Sequence, residues 1–239
     1  MANTEMMIIL ANSEKKGNKC VAGKRLTINA NNQYDRHEWI RPIHPQTDEG
    51  EIPTELTLLA GHSLAPLDVV SIDFDGSAEN PDHPEDVNIK IGSPWKYHHQ
   101  IEPQYLTYFC DQPITLWGAG QGGMERRVPE GFVRRMNPSF TLCLIQPQGH
   151  CRVDAFYEPG YQGASPKFRK RLHLNHNGSP HEFDITDTAF IGRHDLAEKA
   201  RSGGFSMTLD NPAQTFLCLS LTPAFRGHHY KIAAAIFEP

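Results

Sequence analysis

Short apolar runs separated by glycine and proline constrain the fold of this chain more than any other feature of its sequence. The 239 residues include 18 Pro and 19 Gly, spread along the whole length, and this frequent interruption favours short strands over long helices. Residues 6–12 and 66–74 are apolar, bounded by turn residues and, in the second case, rich in β-branched side chains. About ten such runs, with one or two short helices, predict an all-β protein with minor helix, built as barrels or sandwiches.

A glycine-rich stretch near the middle of the chain, GAGQGGMERRVPEG, is the best candidate for a boundary. A chain of this length fits one large domain or two small ones. We therefore predict an N-terminal unit over residues 1–117, a linker or loop over 118–131 and a C-terminal unit over 132–239. The glycines of this stretch do not follow the G-x-G-x-x-G spacing, so no dinucleotide site is predicted.

Charge and cysteine usage narrow the class of protein. The formal net charge is −5 with an isoelectric point near 6.2, which argues against coating nucleic acid by bulk charge but leaves a local basic groove open. Five cysteines without a C-x-x-C spacing predict reduced thiols, several of them packed as small apolar residues, in a cytoplasmic protein. No apolar run reaches transmembrane length, so no membrane partner is expected.

The segment SEKKGNKCVAGKR, residues 13–25, resembles a phosphate-binding loop but departs from that motif twice. Gly17 and Gly23 enclose five residues where the motif has four, and Arg25 stands where a hydroxyl should bind magnesium. A polar, strand-like stretch follows, with no helical period. The segment therefore predicts a β-hairpin with a basic tip, whose candidate ligand-binding residues are Lys15, Lys16 and Lys24.

A second candidate site lies in HEWIRPI, residues 37–43. Trp39 and Arg41 are two residues apart, so on a strand they share a face. A tryptophan beside a guanidinium can stack a base and hold a phosphate. The alternative is a core tryptophan with Arg41 in a structural ion pair.

The densest positive run of the chain is SPKFRKRLHL, residues 165–174. It offers Lys167, Arg169, Lys170 and Arg171, with Phe168 among them, a pattern that suits binding of a single strand or a phosphate backbone. The alternative is a solvated edge strand, because lysine and arginine protect edges from aggregation.

Catalytic signatures are weak. Asp73 and Asp75 would share a face at a strand end, which is compatible with a magnesium-dependent nuclease but provides only two carboxylates. The 13 histidines lack the spacings of metal sites, and no nucleophile motif is present. No cofactor and no catalytic residue are predicted, which favours a binding module over an enzyme.

The two ends of the chain carry similar hairpin patterns. Residues 8–26 and 218–236 align without a gap at an offset of 210, and both read as strand, basic residue plus glycine, then a strand of small residues. This similarity indicates either an internal repeat or two hairpins with the same turn chemistry.

Three segments of the chain resemble the bacterial dual OB-containing domain family. They are residues 20–24, 39–42 and 230–236, which lie within the stretches ILANSEKKGNKCVAGK, WIRPI and LSLTPAFRGHHYKIAAAIF. The resemblance would cover nearly the whole chain. It implies two OB-like barrels, genes often near prokaryotic conflict or anti-phage systems, and recognition of nucleic acid or a nucleotide. OB barrels bind with one sheet face and its flanking loops.

We therefore predict an all-β chain of two OB-like barrels. Its expected function is that of a non-catalytic binding module for nucleic acid or a nucleotide-like ligand, acting as an accessory or sensor with other proteins of a defence system. The alternatives are a metal-dependent nuclease that uses Asp73 and Asp75, or a protein-interaction scaffold.

Overall fold

The short apolar runs form strands in the computed structural model, which describes residues 3–15, 17–59, 61–118 and 125–238. The strands, in chain order, are β1 (Asn3–Lys15), β2 (Asn18–Ile28), β3 (Tyr34–Ile43), β4 (Leu58–Leu59), β5 (His62–Ser63), β6 (Asp68–Ser77), β7 (Asp86–Ile89), β8 (Lys96–Gln100), β9 (Arg127–Pro129), β10 (Leu142–Ile145), β11 (Cys151–Glu158), β12 (Lys167–His176), β13 (Ser179–Ile185), β14 (Phe205–Leu209), β15 (Phe216–Leu221) and β16 (His228–Phe237). The α-helices are α1 (Leu106–Phe109), α2 (Thr188–Arg193) and α3 (Leu196–Arg201), and single 3-10 turns span Thr54–Thr57, Pro103–Tyr105, Val133–Arg135 and Tyr161–Gly163.

The chain divides into two compact units that are each discontinuous in sequence. The first comprises Met1–Cys110 and Gly131–Leu144, and the second comprises Asp111–Glu130 and Ile145–Pro239. The boundaries predicted from the sequence stay a prediction, and residues 119–124 of the glycine-rich stretch lie outside the described ranges. None of the helices in those ranges is both long and apolar enough to cross a bilayer.

The first unit contains a closed five-strand barrel in the order β1-β2-β3-β7-β6, with β6 returning to β1. All pairs are antiparallel except β3 with β7, which is parallel. Strand β1 is long enough to pair on both sides: Ile8 lies opposite Lys24 on β2 and opposite Val69 on β6. The inward side chains form an apolar core that includes Met7, Ile9, Val21, Ile40, Ile72 and Phe74. β8 pairs with β6 beside the barrel.

Within the described residues, the second unit repeats the strand order of the first but not its closing pair, because β11 pairs with β14 and not with β15. Strands β11, β12 and β13 form an antiparallel meander, β16 pairs in parallel with β13, and β15 pairs with β16. Strand β16 therefore occupies the place that β7 has in the first unit. The hairpin β15–β16 does not correspond to β1–β2, so the similarity at an offset of 210 residues is not a repeat of equivalent strands.

The N-terminal segment that resembles a phosphate loop is a β-hairpin, as predicted. Lys15 lies opposite Asn18, and Gly17 takes a φ of 81° in the turn, a backbone region that glycine enters without steric cost. The prediction for Lys16 falls outside the described residues, and the side chain of Lys15 is likewise not described. Cys143, Cys151 and Cys218 are buried, as expected for cysteines that pack as small apolar residues.

Three polar side chains of the loop between β6 and β7, those of Asp82, His83 and Glu85, are buried and hold residues 131–144 in the first unit. The Glu85 carboxylate accepts hydrogen bonds from the Thr141 backbone N–H at 2.6 Å and from its hydroxyl at 2.7 Å. Arg134 forms a two-point contact with Asp82, with Nε donating to Oδ1 at 2.8 Å. Because buried polar groups need partners, these carboxylates fix the loop and the segment to each other.

We expect Glu85→Gln to lower the free energy of unfolding by about 1–2 kcal/mol, because a carboxamide has one acceptor oxygen where Thr141 needs two. Urea denaturation followed by circular dichroism measures this loss. Glu55→Gln is the matched control, since Glu55 is exposed in the same unit. An equal stability of the two variants would contradict the bonding role of Glu85.

Candidate nucleic-acid interface

Lys24 and Trp39 contact each other across β2 and β3. The Lys24 ammonium lies 5.3 Å from the centre of the Trp39 ring and donates a hydrogen bond to the Phe109 carbonyl at 2.7 Å. Lys24 is only 3% exposed, whereas Trp39 is half-buried. The amine thus serves the packing of the barrel, and contact with a phosphate would require it to leave this position.

Arg41 forms a structural ion pair, which was the alternative to its predicted contact with a phosphate. Its Nε donates to Asp86 Oδ1 at 2.5 Å, and the two side chains are 13% and 5% exposed. The strand pairing that places Arg41 opposite Asp86 is the parallel β3–β7 contact that helps to close the barrel. The geometry favours a structural role for Arg41 over phosphate binding.

Only the second part of the basic run on β12 lies inside the sheet, because β11 pairs with residues 167–173 but β13 pairs only from Arg171 onwards. The interpretation as an edge strand is therefore wrong for Arg171 but fits residues 167–170. Arg169 contacts Glu158 at 2.7 Å. Arg171, with a side chain 8% exposed, contacts Glu182 at 3.2 Å and also pairs with Asp184. Lys167 is exposed at the start of the strand. The charges of Arg169 and Arg171 are therefore neutralised by carboxylates of the neighbouring strands.

A charged cleft of about 580 Å³ lies beside this run in the second unit, lined by Glu125, Arg126, Arg127, Arg169, Glu182, Asp184 and Tyr230. Arg126 contacts Glu182 and Asp184, each at 2.7 Å. Because acidic and basic side chains alternate and pair, the cleft is not a positive groove of the kind that attracts a phosphate backbone.

Asp73 and Asp75 lie on the exposed side of β6 near its end. The Asp73 carboxylate accepts a hydrogen bond from the Thr4 hydroxyl at 2.5 Å, and bonds from Thr4 and Ser93 lower its pKa below the ordinary value. Within the described ranges, no group of three or more His, Cys, Asp or Glu side chains is placed to hold a metal ion. The nuclease alternative thus gains no third ligand from this part of the chain.

The first unit contains a groove of about 530 Å³ that the sequence did not predict. We call it the tyrosine groove, and its lining residues are Asn29, Gln33, Tyr34, Asp35, His99, Gln100, Ile101, Glu102, Tyr105, Tyr108 and Phe109. Tyr105 and Tyr108 expose 57% and 47% of their surface. Exposed aromatic side chains that converge on one groove are the feature of this unit best suited to binding a ligand.

Separate elements supply the aromatic side chains of the groove. Tyr34 begins β3, His99 lies near the end of β8, and Tyr105 and Tyr108 lie on the 3-10 turn and the helix that follow. The last two face the groove together because they are three residues apart, while Leu106 and Phe109 are buried beneath them. This alternation in PQYLTYF is the one local signal that could have indicated the site.

Contacts within the first unit hold two of the rings in place. Tyr34 stacks on His99 with ring centres 5.7 Å apart and planes at 23°, and burial raises the pKa of Tyr34. The Tyr108 hydroxyl donates to the Tyr34 carbonyl at 3.1 Å, and the Arg36 guanidinium lies 5.3 Å from the Tyr108 ring centre. The groove therefore combines fixed rings with the more exposed Tyr105.

The charge of the groove suits a base better than a phosphate. Among the described residues that line it, none is lysine or arginine, and the carboxylates are Asp35 and Glu102. A phosphate would be repelled by them, whereas a base can stack on the tyrosines and bond to amide and carboxylate groups through its edge.

Comparison with known proteins identifies a family over nearly the whole chain. A family model described as a dual OB-containing domain matches residues 5–236. No curated protein matches the chain. The match agrees with the closed barrel of the first unit and with the repeated strand order of the second.

Proposed function

Because the chain belongs to the dual OB-containing domain family, we propose that it is a non-catalytic binding module for nucleic acid or a nucleotide-like ligand. OB folds commonly bind oligonucleotides on the face of their second and third strands and on flanking loops. The observation that carries the proposal is the convergence of Tyr34, Tyr105 and Tyr108 on one groove at the start of β3.

Stacking is the main interaction that the groove offers. Each base stacked on an aromatic side chain contributes about 1–3 kcal/mol, and the interaction tolerates any base because every base has a π-face. The groove also offers Asn29, Gln33, Asp35 and Glu102 as hydrogen-bonding partners for the edges of a stacked base, while its phosphate stays in solvent. This binding mode predicts a weaker salt dependence than a groove of lysine and arginine would give.

We expect Tyr105→Ala to weaken binding of a fluorescein-labelled single-stranded oligonucleotide at least tenfold, because it removes the most exposed stacking surface (about 1.4 kcal/mol). Fluorescence anisotropy at fixed salt measures the change. Tyr161→Ala is the matched control, since Tyr161 is 83% exposed but belongs to the second unit. Equal affinities of the two variants would contradict stacking in the groove.

Most of the basic residues predicted to bind the ligand have a smaller role in this binding mode. Lys167 is exposed and would contribute by long-range attraction, whereas Arg169, Arg171, Arg41 and Lys24 already have partners in the protein. We also propose an accessory or sensor role in a prokaryotic defence system, which rests on the family resemblance of the sequence.

A further inference from the structure

Glu102 is the acidic residue of the tyrosine groove whose carboxylate is available to a ligand. Its side chain is exposed and makes no hydrogen bond or ion pair with any described residue, whereas Asp35 Oδ1 already accepts from the Asn29 amide at 3.1 Å. The backbone of Glu102 is extended, and its carbonyl accepts from the Tyr105 N–H at 3.0 Å. The backbone of Glu102 is therefore fixed near Tyr105, and both residues line the same groove.

The chemistry of a free carboxylate beside a stacking ring restricts which base it can read. A carboxylate has two acceptor oxygens and no donor, and it bonds most strongly when two parallel N–H groups reach both oxygens. Guanine carries a ring N–H and an amino group side by side on its pairing edge. Adenine and cytosine have a single amino group there, and uracil and thymine have a single ring N–H between two carbonyl groups.

We propose that Glu102 makes the tyrosine groove selective for guanine, by accepting two hydrogen bonds from the pairing edge of a base that is stacked on Tyr105. This inference rests on the proposed role of the groove in base binding. It adds a specificity that stacking alone does not provide, because stacking accepts all bases. Uracil and thymine, whose carbonyl oxygens would face the carboxylate, are the bases it disfavours most.

The test compares labelled seven-base oligonucleotides that consist of deoxyadenosine except for the central base, which is guanine, adenine, cytosine or thymine. The wild type should bind the guanine oligonucleotide about tenfold more tightly than the adenine one, the discrimination expected of a bidentate contact. Glu102→Gln should remove this preference, so that the guanine and adenine oligonucleotides bind with equal affinity. Glu55→Gln, which changes an exposed carboxylate outside the groove, should retain the preference for guanine.

The outcomes separate the two proposals. Equal binding of all four oligonucleotides by the wild type, with Tyr105→Ala still weakening all of them, would overturn the selectivity and keep base binding. A guanine preference that survives in Glu102→Gln would overturn the role of Glu102. Absence of binding to any oligonucleotide, in the wild type as in Tyr105→Ala, would overturn both proposals.

Discussion

Gly23→Ala should unfold the first unit or destabilise it by more than about 4 kcal/mol, an exceptional cost for one methyl group. A Cβ at this position would lie 1.8 Å from the Ile8 carbonyl oxygen and 2.9 Å from the Met7 side chain. The nearer atom belongs to the backbone of β1, which pairs with β2 on one side and β6 on the other. Strand β1 cannot move away without breaking one of the pairings that close the barrel.

Gly149→Ala provides the control for this substitution. A Cβ there meets no atom within 4 Å, and the φ of Gly149 is not in the left-handed region, so its free energy of unfolding should change by no more than about 0.5 kcal/mol. Circular dichroism and urea denaturation of both variants give the comparison. A folded Gly23→Ala protein with wild-type stability would show that β1 and β2 are not in this register.

The requirement for glycine at position 23 illustrates which structural properties can be predicted from the sequence and which cannot. The apolar runs predicted β1, β6 and β16, because their length and bounding turns are local properties. The absence of a hydroxyl after Lys24 correctly excluded a phosphate loop. The need for glycine at position 23 was not predictable, because it comes from a close approach to Ile8 where β1 bulges between Ile9 and Ala11.

For the same physical reason, the sequence did not predict which aromatic residues come together in the candidate site. Tyr34 and Tyr108 are brought together only by the barrel topology, through a hydrogen bond between residues 74 positions apart. Conversely, the basic run on β12 read as a positive surface because Glu158 and Asp184, which neutralise it, come from neighbouring strands. The local sequence pattern identified the basic side chains of β12 but not the carboxylates that pair with them.

A buried histidine should make the stability of the second unit depend on pH. His181 is 1% exposed on β13, and neither ring nitrogen has a hydrogen-bond partner among the described residues. Burial, followed by the positive charge of Lys231 and the proximity of His176, lowers the pKa of His181 from 6.5 to about 4. The folded protein therefore holds this ring neutral at pH values where the unfolded chain protonates it.

We expect the free energy of unfolding of the wild type to fall by about 3 kcal/mol more than that of His181→Leu between pH 7 and pH 4. Between the two pKa values the unfolded state binds a proton that the folded state does not, so this stability is present above pH 6.5 and is lost as the pH falls towards 4. Lys231, whose pKa is lowered by burial to about 8, stays charged throughout this range and does not contribute to the change. Urea denaturation of both proteins at several pH values measures the difference. A difference that does not vary with pH would mean that the ring is already protonated, or solvated, in the folded protein.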